Sequence, residues 1–299
     1  MQNIENLQLK LNMQKPEINK PIFVVGVGHS GNGFLATALS KSPEILKWEE
    51  NNKTWMQDNI FKKDDRRTAK ELNQSIKKTI KNSFLRYIET SNKSRICDKT
   101  PANCLRIPFV LGVFPDAKII HIVRDGRAVL CSTQREYTRR PYSLKSELEV
   151  KLKGVPFWKY YVFLPRLPGV LKRKLRMPIN YWGGRPPGWQ KWTRKFSQNV
   201  VIAKQWVETI KIATDDGRKV APKNYLEIRY EDFINSPRKT IIEIAEFAEL
   251  KNIEPIIEFC EANAVPNRVN KWRQSLDRSV LDEIQEIMEP TMSQLGYEW

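Results

Sequence analysis

PIFVVGVGHSGNGFLATAL, residues 21–39, passes from strand to helix through a glycine-rich turn, and the rest of the chain is read outward from it. Ile22 to Gly26 is apolar and β-branched, the pattern of a strand buried on both faces. Glycines follow at 26, 28, 31 and 33, and from Phe34 apolar residues recur at helical spacing through Leu35, Ala38 and Leu39. The glycines let the backbone curl with its N–H groups pointing inward, and the helix N-terminus adds partial positive charge. This is the sequence of an anion site, with a phosphate as its natural occupant.

Size and composition bound what such a site can serve. The chain has 299 residues, 40% of them hydrophobic, enough to bury a sizeable core. No apolar run approaches the roughly 20 residues of a membrane span. Residues 1–20 read as a polar leader without the apolar segment of a secretory signal, so the expected location is cytoplasmic, at most at a membrane surface. Cys97, Cys104, Cys131 and Cys260 form no C-x-x-C pair, and two histidines are too few for a zinc site, so no metal is expected. Reduced, structural thiols are the expectation. The net charge of +17 is uneven: residues 135–195 hold 16 Lys/Arg against 3 Glu, with four tryptophans and seven prolines. That segment is a specialised surface.

Along the chain, strands and helices alternate. Further strands are expected at 44–48, 95–97, 117–123 (AKIIHIV) and 225–229, with a long amphipathic helix over 64–90 and others near 104–113, from 128, over 200–212, from 237 and over 281–288. Nearly all-apolar strands separated by helices predict an α/β fold, a central parallel sheet flanked by helices. In such sheets ligands lie beyond the carboxyl ends of the strands. Gly28–Gly33, Glu49–Glu50, Asp98–Lys99, Arg124 and Tyr230 would all gather at that edge.

Several chemistries compete for the loop. Gly26, Gly28 and Gly31 match G-x-G-x-x-G, with Glu49 or Glu50 where a ribose-binding acid belongs, which keeps an NAD(P)-binding oxidoreductase open. The Walker pattern fails, because Asn32 stands where a lysine is required. Neither accounts for Arg124 and Ser132, eight residues apart on the helix after AKIIHIV, which make a second anion site. A ligand with phosphates at two places is implied.

GHSGNGFL and IIHIVRDGRAVLCS together resemble the two signature segments of sulfotransferases that use 3′-phosphoadenosine-5′-phosphosulfate (PAPS). Asp98-Lys99-Thr100-Pro101, Arg229-Tyr230-Glu231-Asp232-Phe233 and Arg268-Val269-Asn270-Lys271-Trp272 extend the similarity, which is closest in layout to the tyrosylprotein and bacterial branch. The resemblance implies a P-loop-like three-layer fold over residues 21–299 in a single domain, with the basic aromatic insert at about 135–195 shaping the acceptor site. It implies that Gly28, His29, Ser30, Gly31, Asn32, Gly33 and Phe34 hold the 5′-phosphosulfate, and that Arg124 and Ser132 hold the 3′-phosphate. Tyr230 and Arg268 are further nucleotide contacts, Tyr230 against adenine or simply in the core. Glu50 would be the base, with Glu49 as its competitor, and Lys99 would steady the transferring group.

Two departures stand out. His29 occupies the position of the usual Lys or Arg, and Asn32-Gly33 replaces two hydroxyl residues. His29 would act as a cation only with a raised pKa, as a neighbouring phosphosulfate could provide. His121, inside a buried strand, reads as a satisfied core histidine. The expected function is sulfuryl transfer from PAPS to an acceptor hydroxyl on a carbohydrate, glycolipid, small metabolite or protein tyrosine, leaving 3′-phosphoadenosine-5′-phosphate (PAP). The insert's mixture of aromatics and Lys/Arg suits an anionic membrane surface, and Trp158, Trp182, Trp189 and Trp192 could instead stack on sugar rings. A basic nucleic-acid-binding module is the non-enzymatic rival, and it leaves both anion loops idle.

Overall fold

Ile22 and Val24 point to one side of their strand, Phe23 and Val25 to the other, and all four are buried. That two-sided burial sets the architecture. The computed structural model describes residues 18–56, 62–139 and 183–299. Its strands are β1 (Ile22–Val25), β2 (Ile45–Glu49), β3 (Arg95–Lys99), β4 (Lys118–Val123) and β5 (Tyr225–Arg229). They form a five-stranded sheet in the order β2-β3-β1-β4-β5, every pairing parallel. The register sets Val25 beside His121 and Glu49 beside Lys99, so the carboxyl ends of these strands lie along one edge.

The two faces carry separate cores. Phe23 and Val25 pack with Trp55, Phe84, Phe109 and Val110 beneath the helices Gln74–Ile88 and Ile107–Val113. Ile22 and Val24 pack with Leu35, Leu39, Phe233, Ile241 and Ile256 beneath Asn32–Leu39, Pro237–Ala248 and Glu254–Asn263. A third cluster, with Val123, Leu130, Trp206 and Met288, joins the helices Gly126–Arg139, Gln198–Val220 and Arg278–Gln294 beside the ligand edge. Among the described residues, no helix is long and apolar enough to cross a membrane. All four cysteines are buried and unpaired, and burial pushes the thiols of Cys104 and Cys260 up to about 12.

The helix expected over 64–90 is shorter, Gln74–Ile88, capped by Asn73 Oδ1 accepting the Ile76 N–H at 2.9 Å. Upstream, the chain is drawn into the core instead of along a helix surface. Buried Asp65 accepts from the backbone and guanidinium of Arg185, and the buried Arg67 guanidinium lies 3.9 Å over the Phe109 ring. The segment expected as one helix near 104–113 is two pieces, a 3-10 turn Pro101–Leu105 and the helix Ile107–Val113, broken at Arg106 with φ −147° and ψ 30°. Tyr230–Asn235 and Glu254–Asn263 are helices that the periodicity left unread.

Candidate active site

The turn after β1 works against ordinary backbone preference. Gly31 has φ +97° and Gly26 φ +149°, while His29 is a non-glycine residue at φ +65°. Packing enforces the glycines as well. A Cβ on Gly31 would lie 2.4 Å from the Tyr230 ring, and one on Gly26 only 2.5 Å from the Ile122 carbonyl oxygen. Asn32 accounts for its own departure from the expected hydroxyl: buried, it donates from Nδ2 to the Val27 carbonyl at 2.8 Å and braces the loop. The Ser30 N–H closes the same turn on Val27 at 3.2 Å.

Among the described residues, four polar atoms around this turn are buried without a protein partner: Asn32 Oδ1, which can only accept, and Ser30 Oγ, His29 Nε2 and Arg124 Nε, which can donate. The three that can donate need an explanation, and an anion with acceptor oxygens supplies one. Burial lowers the pKa of His29, with Glu136 opposing and Arg124 reinforcing the shift. Burial therefore favours the neutral imidazole.

Arg124, the residue after β4, reaches this loop. Its Nη1 donates to the His29 carbonyl at 2.8 Å, and its guanidinium stacks 4.3 Å over Tyr230. Tyr230 thereby touches both anion segments, Gly31 on one side and Arg124 on the other. Ser132 stands partly exposed on the helix Gly126–Arg139 that follows. Gly126 is packed tightly: a Cβ there would lie 2.1 Å from Met288 Cε and 3.0 Å from the Trp206 ring.

Glu50 and Lys99 meet at the other side of the loop. The Glu50 N–H donates to the Lys99 carbonyl at 2.9 Å, and Asn51 N–H to Thr100 Oγ1 at 3.0 Å, holding Glu50 at φ +47°. Lys99 Nζ lies 3.2 Å from Glu50 Oε1, and its Cε passes 3.8 Å from the position of a Cβ on Gly33. Lys99 thus spans the gap between Glu50 and the loop. Glu49 turns elsewhere: it pairs with Lys47 at 2.9 Å, whose Nζ also donates to Thr37, and that hydrogen bond holds its carboxyl below the usual range. Beneath this end, buried Asp98 accepts from Trp55 Nε1 at 3.1 Å and Asn103 Nδ2 at 3.3 Å, and burial pushes its carboxyl up to about 6.

Not every expected residue converges. Phe34 packs its ring against Phe233 and Phe259, which leaves its N–H, and not its side chain, for a ligand. Arg268 is exposed on the 3-10 turn Pro266–Arg268. No side chain would be displaced at Gly28, where a Cβ has open space. His121 is a core histidine satisfied on one side only: its Nδ1 lies 2.6 Å from the Tyr225 hydroxyl, which in turn donates to Glu227 at 2.9 Å, while its Nε2 is buried without a partner among the described residues. Burial opposes ionisation of Glu227, yet His121, Tyr225 and Arg218 hold its carboxyl down to about 2.

The return of the basic segment is fixed: Arg185 pairs with Asp65 at 3.0 Å and Trp189 Nε1 donates to the Lys63 carbonyl at 2.7 Å. Trp192 stands on that same helix, Trp189–Lys195. Trp158, Trp182 and the rest of 140–182 lie outside the described residues, as do residues 1–17 of the expected leader. A buried polar group around Asp125, Arg127, Glu231 and Tyr297 escaped the sequence reading altogether. Nothing local marks Tyr297 as the partner of Glu231, 66 positions away.

The sequence profile of the Sulfotransferase family matches residues 21–162. The chain is 23% identical over 288 residues to a protein-tyrosine sulfotransferase of Drosophila melanogaster, covering 93% of this chain and 51% of the fly protein. It therefore spans about half the length of that curated relative. Among solved structures, a sulfotransferase from Alicyclobacillus acidocaldarius superposes with a TM-score of 0.52 at 13% identity, over 94% of this chain and 98% of that one. One from Mycobacterium avium gives 0.52 at 12% identity, over 99% and 81%. The chain is thus similar to the sulfotransferases in sequence across residues 21–162, and its α/β fold, a parallel sheet flanked by helices, is theirs.

Proposed function

We propose that this chain transfers a sulfuryl group from PAPS to an acceptor hydroxyl. The observation that carries the reading is the hydrogen bond from Arg124 Nη1 to the His29 carbonyl, 2.8 Å, which joins the two anion segments into one site. A donor with phosphates at its 5′ and 3′ positions matches two cradles better than any single-phosphate ligand. The orphaned Ser30 Oγ, His29 Nε2 and Arg124 Nε fit a polyanion.

In this reading the loop N–H groups of Gly28 to Phe34, with Ser30, hold the 5′ end, and Arg124 and Ser132 hold the 3′-phosphate; Tyr230 packs beside them and Arg268 approaches from the surface. The donor supplies the sulfuryl group on a phosphate leaving group. Glu50 takes the proton from the acceptor hydroxyl, its basicity kept accessible by a side chain 74% exposed. Lys99 Nζ, between Glu50 and the loop, neutralises equatorial oxygen charge, and His29 donates a hydrogen bond toward the leaving side. Positioning and electrostatics suffice for such an in-line transfer, as in phosphoryl transfer.

The acceptor is a hydroxyl compound. Carbohydrates, glycolipids and small metabolites lead, and the likeness to a protein-tyrosine sulfotransferase keeps a tyrosine phenol among them. The test is transfer of labelled sulfate from PAPS into lipid, glycan and protein fractions of a cell extract. The reading expects label in one fraction with the wild-type chain and none with Glu50→Gln. Equal labelling by the variant would remove Glu50 as base, and no labelling by either would overturn the activity.

A further inference from the structure

The hydrogen bonds that fix Arg124 continue away from the site, into groups that the transfer chemistry does not touch. One peptide unit, the carbonyl of Arg124 and the N–H of Asp125, is gripped at both polar ends. Trp206 Nε1 donates to the Arg124 carbonyl at 3.2 Å, and the Asp125 N–H donates to Glu231 Oε1 at 3.1 Å. The other oxygen of that carboxylate accepts from the Tyr297 hydroxyl at 2.6 Å. Glu231 and Tyr297 are both buried. Burial, with the Glu231 carboxylate beside it, raises the Tyr297 phenol well above its ordinary value, so it stays a proton donor.

The same knot is closed from a second direction. The Asp125 carboxylate accepts from the backbone N–H, Nε and Nη2 of Arg127, at 2.8, 3.1 and 2.8 Å. Arg127 Nη2 also donates to the Glu298 carbonyl at 2.8 Å, and its guanidinium lies 4.1 Å over Trp272. Val123 is held before it by the pairing of β4 with β5, so fixing the 124–125 peptide after it restrains the backbone of Arg124 from both sides and with it the direction in which the side chain leaves. That direction leads to the His29 carbonyl and the Tyr230 ring.

We propose that Glu231 and Tyr297 are positioning residues for donor binding, aiming Arg124 through the 124–125 peptide. The inference rests on the reading of Arg124 as a phosphate ligand. A hydroxyl removed from Tyr297 leaves Glu231 Oε2 short of its donor and frees the carboxylate to swing from Asp125.

The test compares Tyr297→Phe, Glu231→Gln and Glu231→Leu in the full chain by PAP titration, thermal melting and amide hydrogen exchange. Tyr297→Phe should weaken PAP binding by roughly 5- to 20-fold, in line with loss of a charged buried hydrogen bond. It should also speed exchange of the Asp125 amide with no nucleotide present. Glu231→Gln, whose side-chain carbonyl can still accept from Asp125, should retain most of the affinity that Glu231→Leu loses. A Tyr297→Phe chain that melts earlier yet binds PAP as the wild type does would overturn the proposal, leaving a brace of structure alone. So would an unchanged Asp125 exchange rate. Failure of the wild-type chain to bind PAP is a separate outcome: it overturns the nucleotide reading of Arg124, whereas the exchange rates report on the clamp itself.

Discussion

The two sides of the glycine loop are built to different tolerances. On the Arg124 side, a backbone peptide is held at both ends, the guanidinium is stacked on Tyr230, and the supporting acids are buried. On the Glu50 side, one ion pair of 3.2 Å links a lysine side chain 13% exposed to a glutamate 74% exposed. A nucleotide presents the same phosphates at every turnover, so its site gains by being preorganised. An acceptor must enter and leave, and its hydroxyl completes the other side only when bound. The proposed function puts binding on one side and chemistry on the other, and that division can be broken experimentally.

The largest effect is expected at the open side. Glu50→Gln removes the proposed base and should lower turnover by about 10²- to 10⁴-fold while PAP affinity stays within a factor of two. Steady-state turnover and a PAP titration on the same preparation check this, and a matching loss of affinity would erase the division between the sides.

Next comes the closed side. Gly31→Ala must adopt φ +97° and drive a Cβ to 2.4 Å from the Tyr230 ring. Strain of that kind should cost roughly 10- to 100-fold in PAP affinity, read by calorimetry, with the protein still folded. Normal affinity would mean that Tyr230 moves freely and contributes nothing to holding Arg124.

The smallest effect concerns the floor under Lys99. Asp98 titrates near 6 in the folded chain, above the ordinary carboxyl value near 4, because burial disfavours its charge. A raised acid binds its proton more tightly when folded. Its stabilising effect is therefore fully present below about pH 4 and lost as the pH rises through about 6. Asp98→Asn should flatten the stability profile across that window by about 1–3 kcal/mol, measured by urea unfolding at intervals of pH. A wild-type profile already flat there would mean that Trp55, Asn103 and the nearby Arg106 fully compensate the burial.

Much of this was legible in the sequence, and the boundary is physical. Ile22–Val25 and Lys118–Val123 announced themselves because strands buried on both faces are continuously apolar, and the glycine turn from Gly26 and Arg124 follow them directly. Contiguity made the two anion segments readable. Asn32 looked like a deviation, since its reason is a hydrogen bond across the turn to the Val27 carbonyl that no sequence pattern marks. The start of the helix Gln74–Ile88 was misread because Asp65 and Arg67 look like helix-surface charges, and only their partners Arg185 and Phe109 reveal them as buried. Tyr297 was illegible for the same reason: its role exists only through Glu231.

The central claim is that two anion cradles form one nucleotide site, and titration of PAP and NADH into the wild-type and Arg124→Ala chains tests it most directly. The account predicts one tight PAP site in the wild type, weakened about 100-fold by the substitution as a charge-assisted phosphate contact is lost, and no binding of NADH by either chain. Binding of NADH, or PAP affinity indifferent to Arg124, would contradict it.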